Sequence, residues 1–258
     1  MTNPHGSFIW YELMTTDIAG ARAFYEPLIG WKIDAEPSGA IDYRMIAAPD
    51  GLAGGALQLT PEMTAGGARP VWLGYVGVDD VDAVAERVKE LGGTVMVGPR
   101  DIPDVGRFAM IADPQGAPLY VMRGFSDGTS NAFVGGTGAP GHVNWNELST
   151  SDPDVAFAFY SALFGWEKGD AMPMGAMGDY QFLDHHGATF GAQMRSPPEN
   201  PQPVWAYYFR VASIDAAKAQ AEASGGAILQ GPHEVPGGDF ILIGTDPQGA
   251  VWSLVGAR

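Results

Sequence analysis

The chain contains one ten-residue pattern twice, and this repetition limits the folds open to it more than any other feature. The pattern reads FIWYELMTTD at residues 8–17 and VNWNELSTSD at residues 143–152. Further matched stretches follow in the same order: AFYEPLIGWK (23–32) with AFYSALFGWEK (158–168), GGTVMVGPRDIP (92–103) with GGAILQGPHEVP (225–236), and DPQGAPLY (113–120) with DPQGAVWS (246–253). Since repetition of this kind indicates a repeated structural unit, the two halves are duplicates.

Each half is itself doubled. Residues 8–30 align with residues 70–92, which places Trp10 on Trp72, Asp17 on Asp79 and Gly30 on Gly92. The chain therefore holds four units of about sixty residues each. Between the halves, residues 124–141 are rich in Gly and lack periodicity, which is typical of a linker. We predict a first domain over residues 1–125, a linker over 126–141 and a second domain over 142–258.

One unit predicts the secondary-structure order βαβββ. Residues 8–15 alternate as a strand does, Asp17 offers an N-cap, and helical apolar spacing continues up to Gly30. Three short β segments are predicted at 31–36, 41–48 and 52–60. Four such units give an α+β protein with helices on one side of curved mixed sheets.

This pattern, with AFY in the helix and DPQG before the last strand, resembles the vicinal oxygen chelate superfamily. That superfamily includes glyoxalase I, bleomycin-resistance proteins and extradiol dioxygenases. The resemblance covers residues 8–256 and is closest to two-domain bacterial glyoxalase-like proteins often labelled hydroxylases. It implies that the four βαβββ modules pair into two cup-shaped domains, each binding its ligand on the concave face.

The resemblance also implies where metal ligands would lie. The first-strand His of the family is replaced by Trp10 and Trp145, and its last-strand Glu by Tyr120 and Ser253. The strands at 71–73 and 204–206 hold no His, so of the family ligand positions only Gln58 and Gln193 keep a donor atom. Because a divalent ion needs at least three converging N, O or S donors, we expect no metal cofactor. The alternative is a relocated divalent metal site built from Glu12, Gln58, Glu147 and Gln193.

Alternation along the first strand of each half predicts which side chains face the cup. Glu12 and Glu147 are candidate catalytic bases, the alternative being buried structural carboxylates, with Arg44 and Arg107 as candidate partners in the first half. Trp72 and Trp205 are expected in the core. The candidate ligand-binding residues are Trp10, Trp145, Gln58, Gln193, Tyr43, Tyr180, Arg107 and Tyr120. Since Asp239 replaces Arg107 in the second half, the two cups are expected to differ.

The amino-acid composition limits the classes of partner and the kinds of metal site that this chain can have. The net charge of −16 argues against nucleic acid, and the absence of Cys excludes disulfides and thiolate metal sites and suits a cytoplasmic protein. No signal peptide or membrane span is expected, and the protein is predicted to be a monomer or homodimer. Three functions stay open. They are a metal-independent small-molecule binder or Glu-dependent enzyme, a metal-dependent lyase or oxygenase, and a non-catalytic interaction module.

Overall fold

The computed structural model describes residues 3–37, 39, 41–136, 138–198 and 201–258, and it contains four βαβββ modules. The first holds β1 (Phe8–Thr15), α1 (Ile18–Ile29), β2 (Lys32–Ile33), β3 (Tyr43–Ala48) and β4 (Gly51–Gln58), followed by a short helix α2 (Pro61–Ala65). The second holds β5 (Val71–Gly77), α3 (Val81–Glu90), β6 (Thr94–Ile102), β7 (Gly106–Ala112) and β8 (Pro118–Gly124). The third holds β9 (Val143–Thr150), α4 (Pro153–Phe164), β10 (Glu167–Pro173), β11 (Asp179–His185) and β12 (Ala188–Arg195). The fourth holds β13 (Val204–Val211), α5 (Ile214–Ala223), β14 (Ala227–Glu234), β15 (Phe240–Thr245) and β16 (Val251–Gly256).

Local sequence explains the helix ends. The Asp17 side chain accepts from the Gly20 N–H at 2.9 Å and begins α1, and Asp152 does the same for α4 through Val155 at 3.2 Å. Gly30 ends α1 in the left-handed conformation at φ 86°, which glycine adopts without steric cost. The predicted caps of the first helix are therefore confirmed.

The strands form two mixed sheets of eight. Their orders are β2-β3-β4-β1-β5-β8-β7-β6 and β10-β11-β12-β9-β13-β16-β15-β14. The predicted α+β class with paired βαβββ modules is confirmed. The predicted segment 31–36 shortens to Lys32–Ile33 in the structure, and the last bond beside it is from the Asp34 N–H to the Met45 carbonyl at 3.1 Å.

The chain divides into two compact units, and each takes segments from both sequence halves. One unit comprises Trp10–Leu73, Asn131–Asn144 and Tyr207–Arg258. The other comprises Met1–Ile9, Gly74–Ser130 and Trp145–Ala206. The domain boundaries predicted from the sequence follow the repeats, whereas these compact units do not. The boundaries of independently folding domains therefore stay a prediction.

In the unit that contains α1, a buried chain of hydrogen bonds joins the two sequence halves. Trp72 Nε1 donates to the Tyr25 hydroxyl at 3.1 Å, and that hydroxyl donates to Asp246 Oδ2 at 3.0 Å. The other oxygen of Asp246 accepts the N–H groups of Gln248 and Ala250, at 3.0 and 2.8 Å, which holds the DPQG turn. Burial raises the pKa of the Tyr25 phenol well above its usual value. Trp72 is only 4% exposed, so its predicted place in the core is confirmed.

The unit that contains α4 repeats the same chain with the halves exchanged. Trp205 Nε1 donates to the Tyr160 hydroxyl at 3.0 Å, and Tyr160 donates to Asp113 Oδ2 at 3.1 Å. Trp205 is 3% exposed, which confirms its predicted core position. We call these two arrangements the core chains. Each ties the helix of one half to the DPQG turn of the other.

A second pair of bonds is exchanged in the same way. Trp31 Nε1 donates to the Gly141 carbonyl at 2.7 Å, and Trp166 Nε1 donates to the Gly6 carbonyl at 2.8 Å, each glycine lying just before a first strand. A Cβ on Gly141 would lie 2.8 Å from the Ala48 Cβ, and the φ of Gly141 is 95°. Only glycine lets the backbone approach the neighbouring half this closely.

We expect Tyr25→Phe to lower the free energy of unfolding by about 1–3 kcal/mol, because it leaves the buried Trp72 N–H and Asp246 carboxylate each short of a partner. Tyr160→Phe should cost a similar amount. Urea denaturation measures both. Asp215→Asn is the control, since it removes an exposed ion pair with Arg258 and should change stability by less than about 1 kcal/mol. A Tyr25→Phe protein as stable as this control would contradict the role of the core chains.

We also expect fragments 1–125 and 142–258 to fold only together, because each compact unit draws residues from both. Each fragment alone should lack a cooperative thermal transition, and an equimolar mixture should regain one together with a near-ultraviolet circular dichroism signal. Cooperative unfolding of fragment 1–125 by itself would instead support an independent first domain.

Candidate functional site

The first strand of each half presents two different faces. In β9, Asn146 and Leu148 are fully buried, whereas Trp145 and Glu147, which alternate with them along the strand, stay partly exposed. In β1, Tyr11 and Leu13 are fully buried, Trp10 is partly exposed, and Glu12 is 3% exposed. Because strand side chains alternate, Trp and Glu share one face, which we call the open face of the module. It is the less buried face in β9, whereas in β1 its carboxylate is buried.

On the open face of the third module, three of the predicted residues are joined by hydrogen bonds. Trp145 Nε1 donates to the Tyr180 hydroxyl at 2.8 Å, and that hydroxyl donates to Glu147 Oε2 at 2.6 Å. Burial, followed by the negative charge of Glu147, raises the pKa of the Tyr180 phenol. Tyr180 is therefore a neutral donor at physiological pH, and we call this arrangement the open-face chain.

Strand register brings these residues together. Glu147 on β9 is paired with Ala192 on β12, and Ala192 is paired with Phe182 on β11. Tyr180 lies two residues before Phe182, so both point to the same face. A small residue at Ala192 leaves room between the carboxylate and the two aromatic rings.

A pocket of about 510 Å³ opens beside the open-face chain. It is lined by Trp145, Phe182, Lys168, Gly169, Asp170, Asp184 and Thr189. The Trp145 and Phe182 rings meet edge to face, with centroids 5.9 Å apart and planes at 86°. The volume of this pocket is within the usual range for small-molecule sites, about 300–1,000 Å³.

The first module repeats the indole-to-phenol bond. Trp10 Nε1 donates to the Tyr43 hydroxyl at 2.7 Å. The Tyr43 ring lies over Gly55, where a Cβ would collide with the phenol, and Gly55 is the register partner of Glu12. The sequence therefore places Trp10, Tyr43 and Glu12 close to one another in the first half as well.

The two halves differ in the strand that walls the pocket. β10 spans seven residues and contributes Lys168, Gly169 and Asp170, whereas β2 spans two. The described residues of the first module form a pocket of about 490 Å³ in a different place, beside the start of α1, lined in part by Arg22, Asp42 and Gln58 and not by Trp10. This asymmetry of walls agrees with the expectation that the two cups differ.

The Gln58 side chain forms hydrogen bonds with backbone groups of its own module. Its Oε1 accepts the Ile18 N–H at 3.0 Å and its Nε2 donates to the Thr16 carbonyl at 2.7 Å. These bonds satisfy backbone groups at the beginning of α1. Gln58 would have to release them to bind a ligand.

The sequence-based matching of Gln58 with Gln193 is wrong by two residues. Gln58 is paired with Thr15, and its structural counterpart Arg195 is paired with Thr150. Gln193 therefore corresponds to Ala56. The cause is a two-residue insertion in the second half between the helix and the next hairpin. Tyr43 and Tyr180 both lie after this insertion, so the match between them is unaffected.

The true counterparts differ in a way that the helix starts explain. The second half begins its helix with Pro153, which has no N–H to donate, where the first half has Ile18. An acceptor is not needed there, and Arg195 donates to the Ser151 carbonyl at 2.6 Å as Gln58 donates to that of Thr16. Gln193 donates to the Pro153 carbonyl at 2.8 Å, and its Oε1 is buried with no hydrogen-bond partner among the described residues.

Arg107 is engaged by carboxylates of its own module. It contacts Asp82 at 2.6 and 2.8 Å and Asp101 at 2.8 Å, and these bonds raise its pKa. Arg44, the other predicted partner of Glu12, forms an ion pair with Asp42. Both guanidinium groups are therefore held by surface aspartates, and neither depends on a bound ligand for its charge balance.

Tyr120, at the family's last-strand Glu position, packs against another ring. Its ring stacks on Tyr75 with centroids 4.3 Å apart, and both side chains are 5% exposed. The open face of the second module is thus filled by aromatic side chains at this point.

The donor set does not fit a divalent metal. The part of the chain that the structure describes brings no three His, Cys, Asp or Glu residues together at metal-binding distance. The indole rings of Trp10 and Trp145 have no lone pair to offer a metal, and the Gln58 amide oxygen already accepts a backbone N–H. Separately, no helix among the described residues has the length and apolarity to cross a membrane.

Sequence reasoning missed Phe182, Lys168 and Asp184, which line the pocket. A signal for Phe182 was present, because it lies two residues after Tyr180 on a predicted strand and must share its face. Lys168 and Asp184 carried none, since a β-bulge shifts the β10–β11 register beside Lys168.

We expect Gln58→Leu to lower the free energy of unfolding by about 1–3 kcal/mol, since the Ile18 N–H loses its acceptor. Gln193→Leu is the matched change and should cost less than about 1 kcal/mol, because it also removes a buried oxygen that has no donor. Urea denaturation of both variants measures the difference. Equal losses, or a larger loss for Gln193→Leu, would contradict the assignment of Gln58 to the helix start.

Comparisons with known proteins agree with the fold. The family model described as Glyoxalase/Bleomycin resistance protein/Dioxygenase superfamily matches residues 7–120 and again residues 140–254. A protein of Mycobacterium tuberculosis named "Putative glyoxylase CFP32" is 36% identical over 250 residues, covering 95% of this chain and 93% of its own. Anthracycline biosynthesis protein DauV of Streptomyces sp. (strain C5) is 30% identical over 266 residues, covering 98% of this chain and 94% of its own.

Two solved structures share the fold at low identity. The Mn(II)-bound glyoxalase from Novosphingobium aromaticivorans is 17% identical with a TM-score of 0.66, covering 98% of this chain and 82% of its own. The 2,3-dioxygenase LapB from Pseudomonas sp. KL28 is 11% identical with a TM-score of 0.64, covering 100% of this chain and 94% of its own.

Proposed function

Because this chain belongs to the glyoxalase/bleomycin resistance protein/dioxygenase superfamily, we propose that it binds a small molecule on the open face of its third module. The site consists of Trp145, Tyr180 and Glu147 with the adjoining pocket. Family membership alone does not choose between binding and catalysis, and the names of the relatives point to different chemistries. The proposal therefore depends on the site itself.

The observation that carries the proposal is the open-face chain beside a pocket of about 510 Å³. Holding a partly buried indole, phenol and carboxylate in fixed positions costs side-chain entropy, and a ligand-binding site is where such preorganisation is useful. The core chains already provide the same bonds where stability needs them. The open-face chain lies instead on a surface that a ligand can reach.

We further propose that binding needs no metal. Relatives in the fold include an Mn(II)-bound glyoxalase, but the donors that a divalent ion requires are not assembled among the described residues here. The ligand would then be held by stacking on the indole and by hydrogen bonds to the carboxylate.

Glu147 serves as an acceptor in this proposal. Its Oε2 already accepts the Tyr180 hydroxyl at 2.6 Å, which suits a hydrogen-bond acceptor. A catalytic role for Glu12 or Glu147 remains the alternative. Loss of turnover by ~100-fold or more in Glu147→Gln, with binding retained, would favour catalysis.

The proposal is tested by thermal-shift screening of a small-metabolite library, followed by titration of hits, because a ligand that binds the native state raises its stability. We expect hits to change Trp fluorescence, and Trp145→Phe to remove most of that change. Trp10→Phe is the matched control in the other module and should leave it. Elemental analysis after dialysis should find no stoichiometric transition metal. About one Mn, Fe, Ni or Zn per chain, or an undiminished ligand signal in Trp145→Phe, would contradict the proposal.

A further inference from the structure

Building on the proposed function, we infer that the ligand of the Trp145 site is a planar molecule that brings its own hydrogen-bond donor, a hydroxyl or an N–H. The direction of the bonds along the open-face chain determines which ligand groups the site can accept. A planar carboxylate is the class that this site rejects.

Every bond in the open-face chain runs toward the carboxylate. The indole of Trp145 has one N–H, which goes to Tyr180, and the phenol has one O–H, which goes to Glu147. Neither ring keeps a donor for a ligand. Because burial raises the pKa of Tyr180, the phenol keeps its proton and the direction of the chain does not reverse at physiological pH.

The end of the chain is an acceptor. An ionised carboxylate has two oxygens with about four lone-pair sites and no proton to give. The Tyr180 hydroxyl uses one of these sites, and Glu147 has a further interaction, but the carboxylate can still accept another hydrogen bond. A donor on the ligand therefore gains a charge-assisted hydrogen bond there. A ligand carbonyl or carboxylate would meet only acceptors at this position.

The pocket wall favours the same class. Asp170 and Asp184 add two carboxylates, and the Thr189 hydroxyl donates to Asp184 at 2.6 Å rather than into the pocket. Lys168 is the one cation in the lining, and its ammonium lies 3.3 Å from Asp154 and 4.9 Å from the Phe157 ring centroid. With Glu147 the carboxylates outnumber this cation, so an anionic ligand is repelled.

The apolar side chains around the site favour flat ligands and can accommodate different sizes of ring system. Trp145 and Phe182 line the pocket with ring faces and edges. Met172 is the register partner of Tyr180 on β10, and both it and Met194 on β12 are partly exposed. Flexible thioethers beside aromatic rings accommodate ring systems of different outline.

The experiment compares three probes that share one ring system: 2-naphthol, 2-methoxynaphthalene and 2-naphthoate, each titrated calorimetrically into the full chain. We expect 2-naphthol to bind at least ~10-fold more tightly than 2-methoxynaphthalene, since one hydrogen bond of about 1.4 kcal/mol is worth tenfold in affinity. We expect 2-naphthoate to bind more weakly than either.

Glu147→Gln identifies the acceptor, because an amide can donate as well as accept. In that variant the preference for 2-naphthol over 2-naphthoate should fall by ~10-fold or more, with thermal unfolding showing that the protein is folded. Glu234→Gln makes the same change at an exposed position on β14 and should leave the preference unaltered. If Glu147→Gln fails to fold, Asp184→Asn serves instead, because it removes one carboxylate from the pocket lining and should weaken the preference without reversing it.

The outcomes separate the inference from the proposal beneath it. Tighter binding of 2-naphthoate, or equal binding of 2-naphthol and its methyl ether, would overturn the donor requirement while leaving a small-molecule site at Trp145. No binding of any probe at millimolar concentration would overturn both. Binding of all three that Trp145→Phe does not affect would place the ligand elsewhere and likewise overturn both.

Discussion

The fold depends on the core chains, in which an indole N–H donates to a phenol and the phenol donates to an aspartate. Trp72, Tyr25 and Asp246 form one, and Trp205, Tyr160 and Asp113 form the other. Burial raises the pKa of each aspartate, and the hydrogen bonds that it accepts counter part of that effect. Since the aspartate also accepts the N–H groups of its DPQG turn, one side chain fixes a loop of its own half and a helix of the other.

The same chemical sequence of indole, phenol and carboxylate occurs again on the open face, with a different consequence. In the core the indoles of Trp72 and Trp205 are almost completely buried and the chain is a structural tie. Trp145 and Glu147 keep partial exposure, and Trp145 lines a pocket. The difference in burial, rather than in bonding, separates a stabilising arrangement from one that can recognise a ligand.

Much of the fold could be predicted because the signals are local. Asp17 begins a helix through its capping side chain and Gly30 ends it because glycine adopts a positive φ, and the alternation around Trp10 places a strand at 8–15. The exchanged contacts could not be predicted, because DPQG is identical in both halves and no local pattern says which Tyr it meets. The site was predicted in part. Alternation and repetition in the sequence indicated Trp145, Tyr180 and Glu147. The match of Gln58 with Gln193 failed because a two-residue insertion lies before them in the second half, and a match carried across the insertion without a gap is two residues away from the register of the sheet.

The counterparts at the two helix starts show how a duplicated protein diverges. Ile18 with Gln58 and Pro153 with Arg195 are two self-consistent solutions to the same hydrogen-bond requirement. A hybrid of Ile with Arg would leave a backbone donor unsatisfied, and a hybrid of Pro with Gln would leave an acceptor idle. The path from one solution to the other therefore crosses a less stable intermediate, so each copy is held in its own version by coupling between two positions forty residues or so apart in sequence. Divergence of the halves thus proceeds in paired steps, and an ancestral sequence reconstructed one position at a time would misjudge the fitness of either residue alone.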